Sequence, residues 1–396
     1  MSAGIEERLR SELRECEAPD ETAATARSWR VAAAAFTERA PARRRPRPLL
    51  RVALVTGLLA VVLAALLTPA GADVGKWIEK RMGLGPEETQ PTLRGFPGGG
   101  HLLAVSDSGA WVVNPGGGVR RLGAYREVGW SPRGLFVVGT RGHRITAMEP
   151  GGEPRWSFSR PGRLSGPAWS PGDGFRIAYL ERHGGATSVR VVDGSGGVDH
   201  LVSGRARAVT PAWRPGRGYV LSYATSAGGL RTVDADSGRL LWRGRDGAPL
   251  QLAWTRDGGR LAALTRRALL VYARDGRLLR RRELPARGRG LSLAAHPSGQ
   301  RVALSSSRGG VSSVLSVPLV AGRATPMFTG SGTLGELAWS PSGRRLLVGW
   351  PEANQWLLIG KGRPRAFAGM SRQLDPGASG AGFPRLSGWC CTARPR

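Results

Sequence analysis

Short runs of alternating apolar and polar residues recur along the last three-quarters of the chain, each pair of runs separated by a turn rich in proline and glycine. The clearest copies read VGWSPRGLFVV at 128–138, PAWSPGDGFRIAYL at 167–180 and LAWSPSGRRLLVG at 337–349. Proline and glycine favour a chain reversal, because proline fixes φ and glycine allows a positive φ. Alternation is typical of a half-buried strand. Each copy therefore predicts a β-hairpin.

Seven copies of this hairpin occur at regular intervals. The other four read LRGFPGGGHLLAV at 93–105, PAWRPGRGYVL at 211–221, LAWTRDGGRLAAL at 252–264 and LAAHPSGQRVAL at 293–304. The marker position holds Pro97, Pro132, Pro171, Pro215, Arg256, Pro297 and Pro341. Successive markers are 35, 39, 44, 41, 41 and 44 residues apart. A period near 40 residues with strand-like content is typical of a β-propeller blade.

A second hairpin follows each copy of the first. These segments span 110–122, 144–156, 189–202, 230–242, 269–281, 315–328 and 356–367. Each places Gly, Pro, Asp or Asn between two extended runs, as a strand reversal requires. Two hairpins per period give four strands, so the pattern predicts an all-β, seven-bladed propeller of four-stranded antiparallel blades over residues 92–396.

A tryptophan recurs in register before the turn, at Trp130, Trp169, Trp213, Trp254 and Trp339. Gly95 and Ala295 hold this position in the other two copies. A tryptophan can stack on a ligand, but a large aromatic residue repeated in register is what neighbouring sheets need to bury their faces. We therefore expect structural roles for these tryptophans and for the turn prolines Pro132, Pro171, Pro215, Pro297 and Pro341.

Four aspartates look like ligands for a cation but lie where turn chemistry favours aspartate. They are Asp193, Asp234, Asp236 and Asp275. We expect structural roles for them as well, and the sequence predicts no metal site and no bound cofactor.

The Trp-Ser-Pro repeat resembles the TolB-type and WD-repeat-like propellers of bacteria, over residues 92–369. The resemblance implies the fold and leaves the ligand open. The Gly-His and Trp-Asp pairs of WD repeats proper are absent, so the chain departs from that family's own pattern. The segment VDADSGRLLW at 233–242 also resembles one repeat of a quinoprotein-type propeller.

The chain is strongly basic, with 58 Lys and Arg against 29 Asp and Glu and a net charge of +29. Residues 73–396 alone hold 47 basic and 21 acidic residues, a net charge of +26. Such a surface attracts anionic partners in a salt-dependent way. We expect a protein or an anionic envelope polymer as partner. No nucleic-acid-binding motif occurs, and the alternative is that the arginines reflect a GC-rich coding bias.

Residues 49–72 are predicted to form a transmembrane helix. The 21 residues of 52–72 carry no charge, which is enough to cross a bilayer. Arginines precede the segment and mixed charges follow it, so the positive-inside rule puts the N-terminus in the cytoplasm and the propeller outside. The small residues at 70–72 also allow cleavage after Ala72. The long preceding region favours an uncleaved, single-pass anchor.

The predicted domains are a cytoplasmic helical tail with an Arg-rich flank at 1–48, the membrane helix at 49–72, a juxtamembrane linker at 73–91 and the propeller at 92–396. Ile5, Leu9 and Leu13 share one helix face in the tail. Residues 1–42 either dock on a cytoplasmic partner or only keep the tail soluble. The layout resembles that of membrane-bound anti-sigma factors, although the tail lacks the His and Cys ligands of their zinc-containing class.

The C-terminal segment RLSGWCC at 385–391 echoes TLRGFPG at 92–98. This similarity predicts that the C-terminus returns beside the first blade and helps to close the ring. Cys390 and Cys391 are adjacent and can form a vicinal disulfide in an oxidising compartment. Vicinal disulfides occur in some quinoprotein dehydrogenases, which resemble this chain only weakly.

Motifs for catalysis are absent. The histidines His101, His143, His183, His200 and His296 show no metal-ligand spacing, and no GxSxG elbow or phosphate-binding glycine loop occurs. We therefore expect a non-catalytic, membrane-anchored, extracytoplasmic scaffold that binds a protein or another ligand. The alternatives are a transmembrane signalling protein with a propeller sensor and a cytoplasmic effector tail, and a propeller hydrolase or quinoprotein.

Overall fold

The computed structural model describes residues 99–172, 175–284, 289–376 and 380–391, together with Leu93, Phe96 and Pro97. The predicted tail (1–48), membrane helix (49–72) and linker (73–91) lie outside these residues. Within the described ranges, no helix has the length and apolar composition needed to span a bilayer.

The described residues form seven four-stranded antiparallel sheets, named here blades 1 to 7. Three of the four strands of blade 1 are β1 (His101–Ser106), β2 (Gly109–Val113) and β3 (Val119–Gly123). Blade 2 contains β4 (Glu127–Trp130), β5 (Val137–Arg141), β6 (Arg144–Met148) and β7 (Pro154–Ser159). Blade 3 contains β8 (Arg163–Trp169), β9 (Arg176–His183), β10 (Ala186–Asp193) and β11 (Asp199–Ser203). Blade 4 contains β12 (Ala212–Trp213), β13 (Val220–Ala224), β14 (Leu230–Asp234) and β15 (Leu240–Gly244).

The last three blades repeat this order. Blade 5 contains β16 (Pro249–Trp254), β17 (Arg260–Thr265), β18 (Ala268–Ala273) and β19 (Leu278–Glu283). Blade 6 contains β20 (Arg289–Ala295), β21 (Arg301–Arg308), β22 (Val311–Pro318) and β23 (Thr325–Ser331). Blade 7 contains β24 (Leu337–Trp339), β25 (Leu346–Trp350), β26 (Gln355–Ile359) and β27 (Arg365–Ala368). A 3-10 turn (Pro351–Ala353) precedes β26, a short helix α1 (Met370–Leu374) follows β27, and β28 (Arg385–Cys390) ends the series.

The first strands of the blades contact one another in a closed circle, in the order β4, β8, β12, β16, β20, β24 and β28. The seven sheets therefore surround a common axis, which confirms the predicted all-β, seven-bladed propeller. The turns between first and second strands, which hold the Trp-Ser-Pro motif, lie at one end of the ring, here called the motif face. The turns between second and third strands lie at the other end, here called the opposite face.

Burial falls from the middle strands of a blade toward its outer edge. The second and third strands of blade 5, RLAALT and ALLVYA, are buried along almost their whole length, whereas the fourth strand, LLRRRE, alternates between half-buried and exposed residues. Middle strands touch neighbouring blades on both faces, so they need continuous apolar runs. The outer strand has one unpaired edge, and its arginines discourage pairing with another sheet.

Each motif tryptophan packs into a cluster with the preceding blade. Trp213 lies among Ala178 and Leu180 of blade 3, and Trp254 lies against Trp242 of blade 4. The indole Nε1 of Trp213 also donates a hydrogen bond of 2.8 Å to the carbonyl oxygen of Ala168. These contacts join adjacent blades through the same repeat position.

The ring closes by mixing strands from the two ends of the propeller. β28 pairs antiparallel with β1 and completes blade 1 as its first strand, which confirms the predicted return of the C-terminus. Trp389 lies opposite Leu102, as Trp130 lies opposite Val137 in blade 2. The assignment of this repeat position to Gly95 was therefore wrong, because the chain supplies the first strand of blade 1 from its far end.

Polar contacts reinforce this closure. Asp375, just after α1, accepts hydrogen bonds from the hydroxyl groups of Ser106 and Ser108 and from the Ser108 backbone amide. Gln373 Oε1 accepts a bond of 2.8 Å from the backbone amide of Leu93. Leu93 also packs in a cluster that contains α1 side chains and the buried Trp356 of blade 7. Side chains from both ends of the propeller thus share one core.

A second recurring contact links the first strands of neighbouring blades. Glu127 Oε2 accepts the amide of Gly166 at 2.5 Å, and Gln251 Oε1 accepts the amide of Leu293 at 2.6 Å. Glu336 lies three residues before its motif tryptophan, like the other two acceptors, and it lies near Arg385 and the amide of Leu386. Burial raises the pKa of the Glu336 carboxyl, and its own backbone amide, the charge of Arg385 and the Leu386 amide only partly oppose the rise.

Deletion of residues 383–396 should destabilise the whole propeller. The deletion removes a complete first strand together with the packing of Leu386 and Trp389, at a cost of several kcal/mol. We expect the melting temperature to fall by about 10 °C in thermal unfolding. Deletion of residues 392–396 alone is the control and should leave the melting temperature unchanged. Equal melting temperatures for the two deletions would contradict closure by β28.

Replacement of Glu336 by Gln should stabilise the protein at neutral pH. The folded pKa is raised, so above the unfolded pKa of about 4.3 ionisation of Glu336 favours the unfolded chain. Glutamine keeps the acceptor, as Gln251 does in blade 5, and removes this penalty. The difference in melting temperature between variant and parent should be positive at pH 7 and should disappear below about pH 4. A less stable variant at pH 7 would show that the carboxylate itself is required.

Candidate functional site

A cavity lined by described residues lies on the motif face between blades 2, 3 and 4. Its volume is about 690 Å³. Most of its wall comes from aromatic side chains and from one turn of blade 3. Its lining residues include Phe136, Trp156, Trp169, Phe175, Arg176, Asp193 and Tyr219.

Three rings form a connected apolar wall. Phe136 and Trp169 lie nearly parallel, with centroids 6.3 Å apart, and Phe175 meets Trp169 edge-on at the same distance. Trp169 is buried, whereas Phe175 is 48% exposed. Large exposed aromatic side chains beside a cavity are typical of surfaces that bind a ligand or partner.

The polar groups of the cavity are ionised and held in place. Arg176 Nε donates to Asp236 of blade 4 at 3.1 Å, and its guanidinium lies over the ring of Tyr219, 4.6 Å from the centroid. Although burial opposes its charge, the bond to Asp236 raises the pKa of Arg176. Burial also opposes ionisation of Asp193, but bonds from Ser195 and from backbone amides hold its pKa below the ordinary value. The cavity thus presents a cation and an anion beside aromatic rings.

One buried donor in the cavity wall has no acceptor among the described residues. This donor is the indole Nε1 of Trp169. The same atom of Trp213 bonds to Ala168, and that of Trp339 bonds to Ala294 at 3.2 Å. Trp130 Nε1 of blade 2 likewise has no acceptor among the described residues, so this bond is missing in two consecutive repeats. An unmet buried donor costs free energy. The atom is enclosed within the wall, so a ligand in the cavity could reach it only if the wall moved.

A smaller hollow adjoins the cavity. Its volume is about 260 Å³, and Phe175 lines both spaces. The other lining residues include Pro132 and the 58% exposed Leu135. The two spaces together form an apolar groove across the motif turns of blades 2 and 3.

The predicted repeat residues divide between the groove and the rest of the motif face. Trp169 and Pro132 line the groove, and both also belong to the repeat. The other tryptophans, Trp130, Trp213, Trp254 and Trp339, join blades, and the prolines Pro171, Pro215, Pro297 and Pro341 lie in the motif turns of their blades. Three of the four aspartates accept backbone amides within their own turns: Asp193, Asp234 and Asp275. The fourth, Asp236, pairs with Arg176.

A sequence signal for the cavity exists and was missed. Six residues after the motif tryptophan, the three consecutive repeats of blades 2 to 4 carry Phe136, Phe175 and Tyr219. The repeats of blades 5 to 7 carry Arg260, Arg301 and Arg345 there. The motif turns of blades 3 and 4 also contain one extra residue before the second strand pairs, since Trp169 lies opposite Ile177 whereas Trp130 lies opposite Val137.

The two adjacent cysteines lie on the motif face, at the end of β28. The structure joins Cys390 and Cys391 in a disulfide. Their sulfur atoms lie 3.7 Å and 3.5 Å from the carbonyl oxygens of Ser131 and Pro132, respectively. The closing strand therefore ends against the motif turn of blade 2.

No cluster in the described residues has the composition of a metal site. The five histidines are spread over blades 1, 2, 3 and 6. His143 Nδ1 donates to the carbonyl of Gly162 at 2.9 Å. His296 Nε2 bonds to the carbonyl of Gly343 at 2.9 Å. The aromatic cavity is thus the best-defined site of the described chain.

Comparison with known proteins identifies the fold and no family. No protein-family model and no curated protein matches the sequence. The β-propeller domain of Cps50 (Swd1) from Myceliophteria thermophila is similar in structure, with a TM-score of 0.56 at 14% identity over 67% of this chain and 93% of that chain. Hydrazine synthase from Kuenenia stuttgartiensis gives a TM-score of 0.48 at 13% identity over 60% of this chain and 76% of that chain, too low for any argument. The chain therefore has a seven-bladed propeller fold with a WD-repeat-like structural neighbour.

Replacement of Trp213 by Phe should destabilise the protein more than replacement of Trp169 by Phe. Both changes remove similar ring area, but only the first leaves a buried carbonyl, that of Ala168, without its donor. The extra cost is about 1 kcal/mol, or about 2–4 °C in melting temperature. Thermal unfolding of the two variants measures the difference. Equal losses would show that the Trp169 indole has an acceptor of its own in the free protein.

Proposed function

We propose that the protein is a membrane-anchored, extracytoplasmic propeller that binds a protein or another ligand without catalysing a reaction. The observation that carries the proposal is the aromatic cavity of about 690 Å³ on the motif face. Aromatic walls with a few placed polar groups are typical of binding pockets.

The cavity sets the chemistry of its ligand. A planar or apolar group would pack against Phe136, Trp169 and Phe175. Arg176 and Asp193 offer a donor and an acceptor for polar groups of the same ligand. Both side chains already have protein partners, so they enter a complex in a fixed position and lose little conformational entropy.

The fold favours a binding role. A propeller is a rigid ring whose turns are free to vary, and ligands bind at one face or in the central channel. The TolB-type relationship forms part of this proposal, and it rests on the Trp-Ser-Pro repeat of residues 92–369.

The proposed location rests on the sequence. The uncharged residues 52–72 follow an arginine-rich flank, which favours a single crossing with the N-terminus inside. The adjacent Cys390 and Cys391 suit an oxidising compartment, because disulfides persist there.

A photo-crosslinking residue in place of Phe175 tests the proposal in intact cells. Phe175 lines both parts of the groove, so the residue should capture a partner that mass spectrometry assigns to the cell envelope. The same residue in place of Leu279, which is 37% exposed on the outer strand of blade 5, is the matched control and should give no enriched product.

The second control is the change of Phe136 to Ala combined with the crosslinker at position 175. Loss of this ring from the apolar wall should reduce the captured product severalfold while the protein stays folded. Equal capture from positions 175 and 279 would refute the cavity as the binding site. Capture of cytoplasmic proteins alone would refute the location.

A further inference from the structure

Three pairs of exposed arginines face each other across adjacent strands at the opposite face of the ring. The strand register pairs Arg141 with Arg144, Arg163 with Arg182, and Arg231 with Arg243. All six residues are exposed and lie in the consecutive blades 2, 3 and 4. Directly opposed residues have Cβ atoms about 4.5–5.5 Å apart, and like charges at this distance destabilise a sheet.

None of these six side chains has a hydrogen-bond, ion-pair or ring partner among the residues that the structure describes. Blade 3 shows that the fold neutralises other arginines. Arg190 Nη2 lies 2.9 Å from Asp199 Oδ2, and Arg160 pairs with the same carboxylate. These two partly buried arginines of blade 3 thus have an acidic partner, whereas the opposed pairs at the surface have none among the described residues.

Backbone hydrogen bonds join the first two pairs into one surface. The turn between Arg141 and Arg144 accepts two amides of the segment that leads into blade 3. Leu164 donates to the carbonyl of Gly142 at 2.7 Å, and Arg160 donates to the carbonyl of His143 at 2.9 Å. Arg163 lies within this segment and is therefore next to the turn of blade 2.

The loop at 205–207 connects the third pair to the second. The amide of Ala206 donates to the carbonyl of Thr187, which lies opposite Arg182, and the bond length is 2.9 Å. The amide of Arg207 donates to the carbonyl of Ala224, at the end of β13, also at 2.9 Å. The exposed residues of this surface, here called the arginine tract, are Arg141, Arg144, Arg163, Arg182, Arg205, Arg231 and Arg243.

We propose that the arginine tract binds a linear polymer with phosphate groups along its backbone. A guanidinium group presents a planar fork of donors that matches phosphate oxygens. A phosphate placed between two opposed arginines turns their repulsion into attraction. Contacts along one polymer chain also release its counterions, which adds affinity at low salt. This surface is independent of the cavity, which lies on the motif face.

The composition of the tract favours such a polymer over single-stranded nucleic acid or protein. The turns at 141–144, 160–164, 182–186, 205–209, 225–231 and 243–248 contain no Phe, Tyr or Trp, and single-stranded nucleic acid needs aromatic rings for base stacking. No large apolar side chain in these turns is exposed. A protein interface needs an apolar centre. A polymer with charge alone along its backbone needs neither.

Titration of the full-length protein with long-chain inorganic polyphosphate tests the proposal. The tract variant carries Gln at 141, 144, 163 and 182. The matched control carries Gln at four exposed arginines of motif-face turns, Arg217, Arg274, Arg277 and Arg344. Both variants lose four positive charges, so binding that depended only on net charge would be weakened equally in the two variants.

The tract variant should bind polyphosphate at least about tenfold more weakly at 0.1 M salt, and its slope of log Kd against log salt should fall by about one per lost contact. The control should change the Kd less than about threefold. Equal losses in both variants, or no loss in the tract variant, would overturn the proposal. Competition by polyglutamate as strong as that by polyphosphate would also overturn it, since phosphate would not be the recognised group.

Thermal unfolding checks that the tract variant is folded. Because the opposed arginines repel each other, its melting temperature without ligand should equal or exceed that of the parent. A double variant with Gln at 163 and 182 removes a single pair and should show an intermediate loss of affinity. A folded double variant with parental affinity for polyphosphate would contradict the role of this pair.

Discussion

Burial of both faces of every blade against its neighbours is the constraint on which the structure depends. Strands such as β17 and β18 are apolar along their length because each blade packs on two others. A ring with one open end would expose two such faces to water. The first strand of blade 1 therefore comes from residues 385–390, and Trp389 fills the repeat position that the N-terminal copy leaves empty. Closure makes the stability of the first blade depend on the last residues of the propeller.

The same repeat that builds the ring also builds the candidate site, through departures in three consecutive copies. Phe136 stands where the later repeats carry arginine. The motif turns of blades 3 and 4 are one residue longer, and the aromatic residues Phe175 and Tyr219 lie just before the equivalent strand positions, Arg176 and Val220. The longer turn of blade 3 carries Phe175 outward to the surface. Trp169 keeps its packing role but lacks the bond that Trp213 makes. Trp130 lacks the bond as well, so its absence at Trp169 does not by itself mark a binding site.

The two faces of the ring carry different chemistry. The motif face holds aromatic rings beside an Arg176–Asp236 pair. The opposite face of blades 2 to 4 holds opposed arginines without acidic partners in the described chain. Coding bias can raise the number of arginines, but it does not explain why like charges are placed opposite one another in three successive sheets. The strand register, which amino-acid composition does not reveal, places these arginines opposite one another on one face of the ring.

Local chemistry determined the repeat, the turns and the number of blades, because proline, glycine and alternating residues act over a few positions. The sequence also predicted the return of residues 385–391, since GWCC repeats the motif pattern. The sequence pattern assigned Gly95 to a repeat position that Trp389 occupies. A local pattern could not show this, because the pairing joins strands from opposite ends of the propeller. The six-residue spacing of Phe136, Phe175 and Tyr219 was visible, but only the ring geometry places three separate blades around one cavity. Likewise, Arg163 and Arg182 become neighbours only when β8 pairs with β9.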